Sequence, residues 1–374
     1  MPTADELLGT DTVAALADCL ARALNAPADE TRRRAALLAG LSFSGRVAAV
    51  RDAVLADLPP AYPDFARVLR TALEDPEFTG WMTFPVTEAV AVRGLDVFEP
   101  ALALLAELTP RLTAETAVRP FLRADQARAL RTITDWTGHP DPHVRRLASE
   151  GTRPRLPWAV RLPSLIADPV PALPLLDALH RDDSDYVRRS VANHLNDISR
   201  DHPAVAVAAA ARWLGGGGDP TTLRVVRHGL RTLVKNGDAD ALTLLGHSPD
   251  VPVDVTGPHV TTPTVRVGDH LVFDCAVTHT GDRTAEVVID YVIHHMKANG
   301  TRTPKVFKLT TRSLAPGETW TATRRHSFRP ITTRRYHPGT HVLQLQVNGM
   351  TRGEASFTLT DGPAAGPGAD TGTA

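Results

Sequence analysis

The 374-residue sequence has few of the features that a disulfide framework, a metal site or a membrane span requires. It contains two cysteines, Cys19 and Cys275, whose separation matches neither metal-ligand spacing nor a disulfide framework, so we expect a reducing cytoplasm. It has no run of about 18 apolar residues. The opening MPTADELLGTD lacks the basic and apolar regions of a secretory signal. These absences predict a cytoplasmic protein.

Phosphate-cradling glycine motifs are missing as well. Neither GxGxxG nor GxxxxGK[ST] occurs, and no spacing of His, Cys, Asp or Glu indicates a metal centre. We therefore expect no metal and no cofactor.

The net charge of −1 is unevenly distributed along the chain. Residues 263–360 hold 13 Lys and Arg against 7 Asp and Glu, so the rest of the chain is acidic. A basic terminal module on an acidic protein indicates a polyanionic partner.

Residues 1–247 have helical periodicity and an internal repeat. The stretch DPHVRR, which includes Val144, recurs as DSDYVRR, which includes Val187, 43 residues later, and a fainter copy contains Val226. Repeats of about 40 residues built from helix pairs are typical of HEAT-like arrays, whose helices stack into a superhelix with a concave face. We predict a HEAT-like α-helical domain over residues 1–250.

The sequence changes character near residue 250. Alternating, β-branched runs such as HLVFDCAVTH and HVLQLQVNG are separated by Gly and Pro turns. We predict a linker at 251–262, an immunoglobulin-like β-sandwich at 263–360 without its usual disulfide, and a disordered tail at 361–374. The fold class is thus an α-helical solenoid followed by a β-sandwich.

The helix that starts near Tyr186 has two distinct faces. Its apolar stripe is Val187, Val191, Leu195 and Ile198. Its polar face is Arg189, Asn193, Asn196 and Asp197. A solvated surface explains this polar face as well as a binding site does.

The preceding repeat favours the binding site. Arg146 and Glu150 are i, i+4 neighbours, and Glu150 aligns with Asn193 at the 43-residue offset. The segment GTRPRLPW follows, and its two prolines predict an extended ledge. This ledge would present Arg153 and Arg155 as phosphate clamps and Trp158 as an aromatic wall, or else form a plain loop with a packed tryptophan.

Three cations indicate a basic ridge along the next helix. Arg227, Arg231 and Lys235 stand at i, i+4 and i+8 of this helix. Phosphates are the natural partners of such a ridge, although a solubility face is an equal alternative.

Several long strings closely resemble the AlkC family of DNA-3-methyladenine glycosylases, relatives of AlkD in the HEAT-like class. The strings are TAETAVRPFL, HVRRLASEGTRPRLPWAVRLP, YVRRSVANHLNDISRDHP and RHGLRTLVKNGDADALTLLG, and the match continues in KANGTRTPKVFKL and ITTRRYHPGTHVLQLQVNGM. The last two are similar to the C-terminal immunoglobulin-like domain of one AlkC branch. The resemblance covers residues 80–350.

The resemblance implies a monofunctional, metal-free enzyme that excises cationic N3-alkylated bases, 3-methyladenine and 3-methylcytosine, from duplex DNA without a deep base-flipping pocket. Matched by motif, the catalytic residues are Glu115, Glu150, Trp158 and Asp197. We expect the carboxylates to stabilise an oxocarbenium-like sugar and position water, and Trp158 to contact the lesion.

The expected DNA contacts come from both predicted domains. They are Arg153, Arg155, Arg188, Arg189, Arg227, Arg231, Lys235, Lys305, Lys308, Arg334 and Arg335. Arg188 is the weakest, because Arg189 better occupies the functional face. We expect a monomer that associates with the nucleoid when bound to DNA. The alternatives are a non-catalytic HEAT-repeat DNA-binding scaffold and a protein-binding solenoid.

Overall fold

The computed structural model describes residues 3–216, 219–331 and 334–361. Their contacts divide the chain into two compact units, one up to Gly229 and one from Leu230 onward. Apart from Asp361, the predicted disordered tail lies outside the described residues. Within the described ranges, no helix is both long and apolar enough to cross a bilayer.

The first unit is helical, as the repeat pattern predicts. Its α-helices are α1 Ala4–Leu8, α2 Thr10–Leu24, α3 Asp29–Ala35, α4 Phe43–Asp57, α5 Tyr62–Glu74, α6 Thr83–Gly94, α7 Phe98–Leu108, α8 Arg119–Ala124, α9 Gln126–Asp135, α10 Pro142–Gly151, α11 Pro163–Ala167, α12 Leu173–Leu179, α13 Asp185–Ile198, α14 Pro203–Gly215 and α15 Pro220–Gly229. Short 3-10 turns occupy Gly80–Met82, Leu95–Val97, Trp136–Gly138 and Val170–Ala172.

Aspartates in the preceding turns cap the N-termini of two of the repeat helices. Asp141 caps α10 by accepting a hydrogen bond from the backbone N–H of His143 at 2.7 Å. Asp219 caps α15 in the same way, accepting from the N–H groups of Thr221 and Thr222. α13 begins 43 residues after α10 and packs against both α10 and α15. The predicted stripe on α13 is confirmed, because its four apolar side chains are buried: Val187, Val191, Leu195 and Ile198.

The predicted ridge on one continuous helix is wrong. α15 ends at Gly229, and the buried Leu230 leaves helical geometry with φ −90° and ψ 5° before a new helix, α16 Arg231–Asn236, begins. The glycine is needed there because a Cβ would lie 2.7 Å from Cδ2 of Leu195. Arg227 therefore belongs to the first unit, and Arg231 and Lys235 belong to the second.

The second unit is a β-sandwich with α16 and α17 Ala239–Leu244 preceding it. Its strands are β1 Val253–Val260, β2 Thr264–Arg266, β3 His270–His279, β4 Ala285–Met296, β5 Arg302–Leu314, β6 Thr319–Ser327, β7 Gly339–Val347 and β8 Met350–Thr360. One sheet has the order β1-β3-β6 and the other β2-β8-β7-β4-β5. Neighbours are antiparallel except for β2 and β8.

Alternating side chains fill the space between the two sheets. Phe273 of β3, Tyr291 and Ile293 of β4, Leu343 of β7 and Phe357 of β8 belong to one buried cluster. Cys275 lies in the same cluster as a free thiol. The sandwich therefore forms its core without the inter-sheet disulfide, as predicted.

The segment predicted as a linker, residues 251–262, contains β1. This strand pairs with β3 from Val253 opposite His279 to Val260 opposite Phe273. Its glycine and proline, which resemble a linker in the sequence, sit at a register shift between Thr256 and His259 on an edge strand. Edge strands and bulges are the places where a sheet tolerates proline.

Candidate active site

Five charged side chains of the first unit alternate in sign and form one chain of contacts. Arg146 Nη1 donates to Glu115 Oε2 at 2.6 Å, and its Nη2 lies 3.5 Å from Glu150 Oε1. Arg153 Nη1 donates to the same Glu150 oxygen at 2.6 Å, and its Nε donates to Asp197 Oδ2 at 2.9 Å. We call Glu115, Arg146, Glu150, Arg153 and Asp197 the carboxylate–arginine chain.

Three structural elements bring this chain together. Glu115 lies between α7 and α8, Arg146 and Glu150 are one turn apart on α10, and Asp197 is in the last turn of α13. The 43-residue repeat places α10 beside α13. Arg153 leaves the end of α10 and reaches across to Asp197, 44 residues later. The structure thus brings together the three carboxylates predicted from the sequence.

The carboxylate–arginine chain is largely removed from solvent. The side chains of Glu150 and Asp197 are 7% and 4% exposed, and that of Arg153 is 10% exposed. Burial lowers the pKa of Arg153, but the hydrogen bond to Asp197 and the charge of Glu150 outweigh it and leave the pKa raised. The pKa of Arg146 is raised for the same reason, by Glu150 and Glu115. Both guanidinium groups are therefore fixed positive charges.

The hydrogen bonds from the two arginines use one oxygen of each carboxylate. Arg153 engages only Oδ2 of Asp197 and Oε1 of Glu150. By contrast, Arg155 bonds both oxygens of Asp201. Arg145 likewise bonds both oxygens of Asp182. The carboxylates of the carboxylate–arginine chain are thus held differently from those of ordinary bidentate pairs.

The prediction that Arg153 projects from the segment as a phosphate clamp is wrong. It does not project, because Glu150 and Asp197 hold its guanidinium in the interior. Arg155 is partly exposed at 23% and pairs with Asp201. The segment GTRPRLPW therefore directs one arginine inward and the other to the surface.

Trp158 has an unusual environment for a tryptophan. Its side chain is 90% exposed, and its backbone has φ +60°, in the left-handed region that non-glycine residues rarely adopt. The alternative of a packed tryptophan in a plain loop is wrong. A large exposed ring on a strained backbone is typical of a contact surface.

The remaining predicted DNA-binding residues of the first unit differ in solvent exposure and in their contacts with other residues. Arg188 donates to the carbonyls of Asp182 and Asp183, so its guanidinium is held against the turn that precedes α13. The side chain of Arg189 is 62% exposed and lies 3.5 Å from Asp185. Arg227 is exposed.

The second unit brings three of the predicted cations near one another. Arg231, Lys235, Lys308 and Arg335 are exposed, and Lys305 and Arg334 are partly buried. Burial, followed by the positive charges of Arg334 and Lys235, lowers the pKa of Lys305. Lys305 thus lies within electrostatic range of cations from α16 and from the loop before β7.

Three further residues border the carboxylate–arginine chain. The ring of Tyr186 lies 4.9 Å from the guanidinium carbon of Arg146 and packs edge-on against His143. Arg119 is fully buried and donates to backbone carbonyls of the last residue of α10 and of the segment that follows it. The 43-residue offset pairs His143 with Tyr186 and is a signal for their contact. The sequence carries no comparable signal for Arg119.

Comparisons with known proteins agree with this architecture. The family model "Uncharacterised protein YhaZ, C-terminal Ig-like domain" matches residues 254–361. The "Uncharacterized protein YhaZ" of Bacillus subtilis (strain 168) is 38% identical over 319 residues, which are 85% of this chain and 88% of that protein. A solved structure, "Pseudomonas fluorescens alkylpurine DNA glycosylase AlkC bound to DNA containing an abasic site analog", is similar with a TM-score of 0.85 and 35% identity, covering 96% of this chain and 100% of the other.

Proposed function

The chain belongs to the AlkC family, in the branch with a C-terminal immunoglobulin-like domain, and from this premise we propose that it is a DNA glycosylase of alkylation repair. Its substrates are cationic N3-alkylated bases, 3-methyladenine and 3-methylcytosine, in duplex DNA. The observation that carries the proposal is the carboxylate–arginine chain, in which two buried carboxylates, Glu150 and Asp197, and the partly buried Glu115 converge near one another.

The chemistry of the substrate fits these carboxylates. A base alkylated at N3 already carries a positive charge, so it leaves without being protonated and needs no strong general acid. The bond to C1′ breaks as positive charge develops on the sugar, and fixed negative charges in a low-dielectric site stabilise that charge. Water then adds to C1′ and gives up a proton. Asp197 and Glu150 are the carboxylates that we assign to these tasks, and Glu115 shares one of them.

The single-oxygen hydrogen bonding supports this assignment. Arg153 and Arg146 fix the orientation of the carboxylates through one oxygen each, and the second oxygen of Asp197 or Glu150 is the one that we assign to the sugar or the water. A bidentate pair such as Arg155 with Asp201 commits both oxygens. Preorganised groups of this kind require no reorganisation during the reaction.

DNA binding is assigned to the exposed cations and to Trp158. Arg155, Arg189 and Arg227 of the first unit would contact phosphates. In the second unit the exposed Lys235 and Lys308, with Lys305 close to Lys235, would do the same, because several like charges in one region favour an anion. The exposed indole of Trp158 would contact the damaged nucleotide, where cation–π attraction favours a charged base.

The test is single-turnover release of 3-methyladenine from methylated duplex DNA by wild type and Asp197→Asn. We expect the variant to lose roughly 10²–10³-fold in rate, equivalent to about 3–4 kcal/mol, while it still binds DNA. Asp182→Asn is the matched control, because Asp182 is also a buried partner of an arginine but lies outside the carboxylate–arginine chain. Release that is equally fast in Asp197→Asn and Asp182→Asn would contradict the assignment of Asp197. DNA binding without any release by wild type would favour the non-catalytic scaffold.

A further inference from the structure

One buried arginine fixes the segment that carries Trp158. Arg119, the first residue of α8, is fully buried. Its Nη1 donates to the carbonyls of Gly151 at 3.0 Å and Arg153 at 2.9 Å, and its Nε donates to the carbonyl of Val160 at 2.5 Å. The guanidinium therefore joins the beginning and the end of the segment between α10 and α11.

Trp158 depends on this backbone for its position. Because its side chain is 90% exposed, packing against neighbours contributes little to where the indole lies. The segment is further closed by a hydrogen bond from the N–H of Leu162 to the carbonyl of Pro154 at 3.2 Å, and Leu156 is buried. The position of the Trp158 indole therefore depends on the hydrogen bonds that hold the two ends of the segment.

The guanidinium of Arg119 is suited to holding several backbone carbonyls at once. A buried guanidinium is costly unless hydrogen bonds satisfy it. Here Nε and Nη1 donate to three backbone carbonyls, whereas Nη2 has no hydrogen-bond partner among the described residues. A planar fork of N–H donors can bind several carbonyls in fixed directions, which a lysine ammonium cannot reproduce. Burial, followed by the nearby charge of Arg153, lowers the pKa of Arg119 to about 10, so it remains charged at neutral pH.

We propose that Arg119 is a positioning residue that holds the Trp158 indole where it meets the damaged nucleotide. This inference rests on the proposed function for its effect on excision. Its structural part, the dependence of Trp158 on Arg119, is independent of any activity.

The experiment compares Arg119→Lys with Arg93→Lys. Arg93 is the matched control, because its guanidinium also donates to three backbone carbonyls, those of Leu55, Leu58 and Pro59, but in a segment outside the carboxylate–arginine chain. Both variants are labelled with 5-fluorotryptophan, which gives one fluorine resonance for each of the five tryptophans. The Trp158 resonance is assigned by its loss in Trp158→Phe. Excision of 3-methyladenine is measured in the same proteins.

We expect Arg119→Lys to shift or narrow the Trp158 resonance and leave the other four unchanged. Excision falls roughly 10- to 100-fold, the cost of a misplaced contact of about 1 Å. In a Trp158→Ala background the same change lowers excision by less than about twofold, because coupled residues are not additive. Arg93→Lys changes neither readout.

An unchanged Trp158 resonance, or an equal fractional loss of excision in both backgrounds, overturns the inference. If Arg119→Lys does not fold, Arg119→Gln, which keeps two N–H donors, replaces it. If wild type excises nothing, the proposed function fails, and the fluorine spectra alone decide whether Arg119 positions Trp158.

Discussion

Removing the central cation of the carboxylate–arginine chain tests the electrostatic reasoning most severely. Arg153 bridges Glu150 at 2.6 Å and Asp197 at 2.9 Å, and all three side chains are at least nine-tenths buried. Arg153→Met keeps much of the volume but leaves two buried negative charges without this partner. Breaking a buried ion pair from one side costs about 3–5 kcal/mol, so we expect a destabilisation of that size.

The assay is urea unfolding followed by far-UV circular dichroism, which reports mainly on the helical unit. Adding Glu150→Gln and Asp197→Asn to Arg153→Met removes the orphaned charges and should restore at least about 2 kcal/mol. Arg155→Met is the control, because its pair with Asp201 is partly exposed and should be worth under about 1 kcal/mol. If Arg153→Met destabilises the protein no more than Arg155→Met does, or if the triple variant is no more stable than the single one, Arg153 does not hold two buried charges in place.

Two predictions concern stability away from Arg153. Burial lowers the pKa of His295 to about 3 and that of His326 to about 4. In the unfolded chain both histidines have a pKa of about 6.5, so below that pH the unfolded chain binds more protons than the native state. The free energy of unfolding therefore decreases as the pH falls below about 6.5, by about 2 kcal/mol per ring at about pH 5. A midpoint of urea unfolding of the β-sandwich that is the same at about pH 7.5 and about pH 5 would contradict this. Gly229→Val should cost about 1–3 kcal/mol by overpacking against Leu195, whereas Gly138→Val, where a Cβ meets nothing within 4 Å, should not. Equal melting temperatures of the two glycine variants would disprove the close approach of α15 to α13.

The sequence predicts the parts of this molecule that periodicity controls. The 43-residue repeat places α10 and α13 side by side, and the spacing within each helix puts Glu150 and Asp197 on the same side of that pair. The buried stripe on α13 follows from its apolar spacing in the same way. These features are local or repetitive, so a single sequence is enough to predict them.

The parts that escape prediction depend on long-range contacts of irregular backbone. The prolines around Arg153 indicate an extended segment, but nothing in their spacing shows that the arginine turns inward to Asp197, 44 residues later. Arg119 has no polar pattern around it, because its acceptors are backbone carbonyls, which every residue carries. Pro258 resembles a linker residue, yet the strand tolerates it because it lies at a register shift on a sheet edge.

The most direct test of the central proposal is the product released by the wild-type protein from duplex DNA that carries 3-methyladenine. We expect free 3-methyladenine together with an unbroken strand that contains an abasic site, because the carboxylates assist hydrolysis at C1′ and do not cleave the backbone. The reaction should need no added metal. A folded protein that binds this DNA and releases no base would contradict the assignment of a glycosylase activity to the carboxylate–arginine chain.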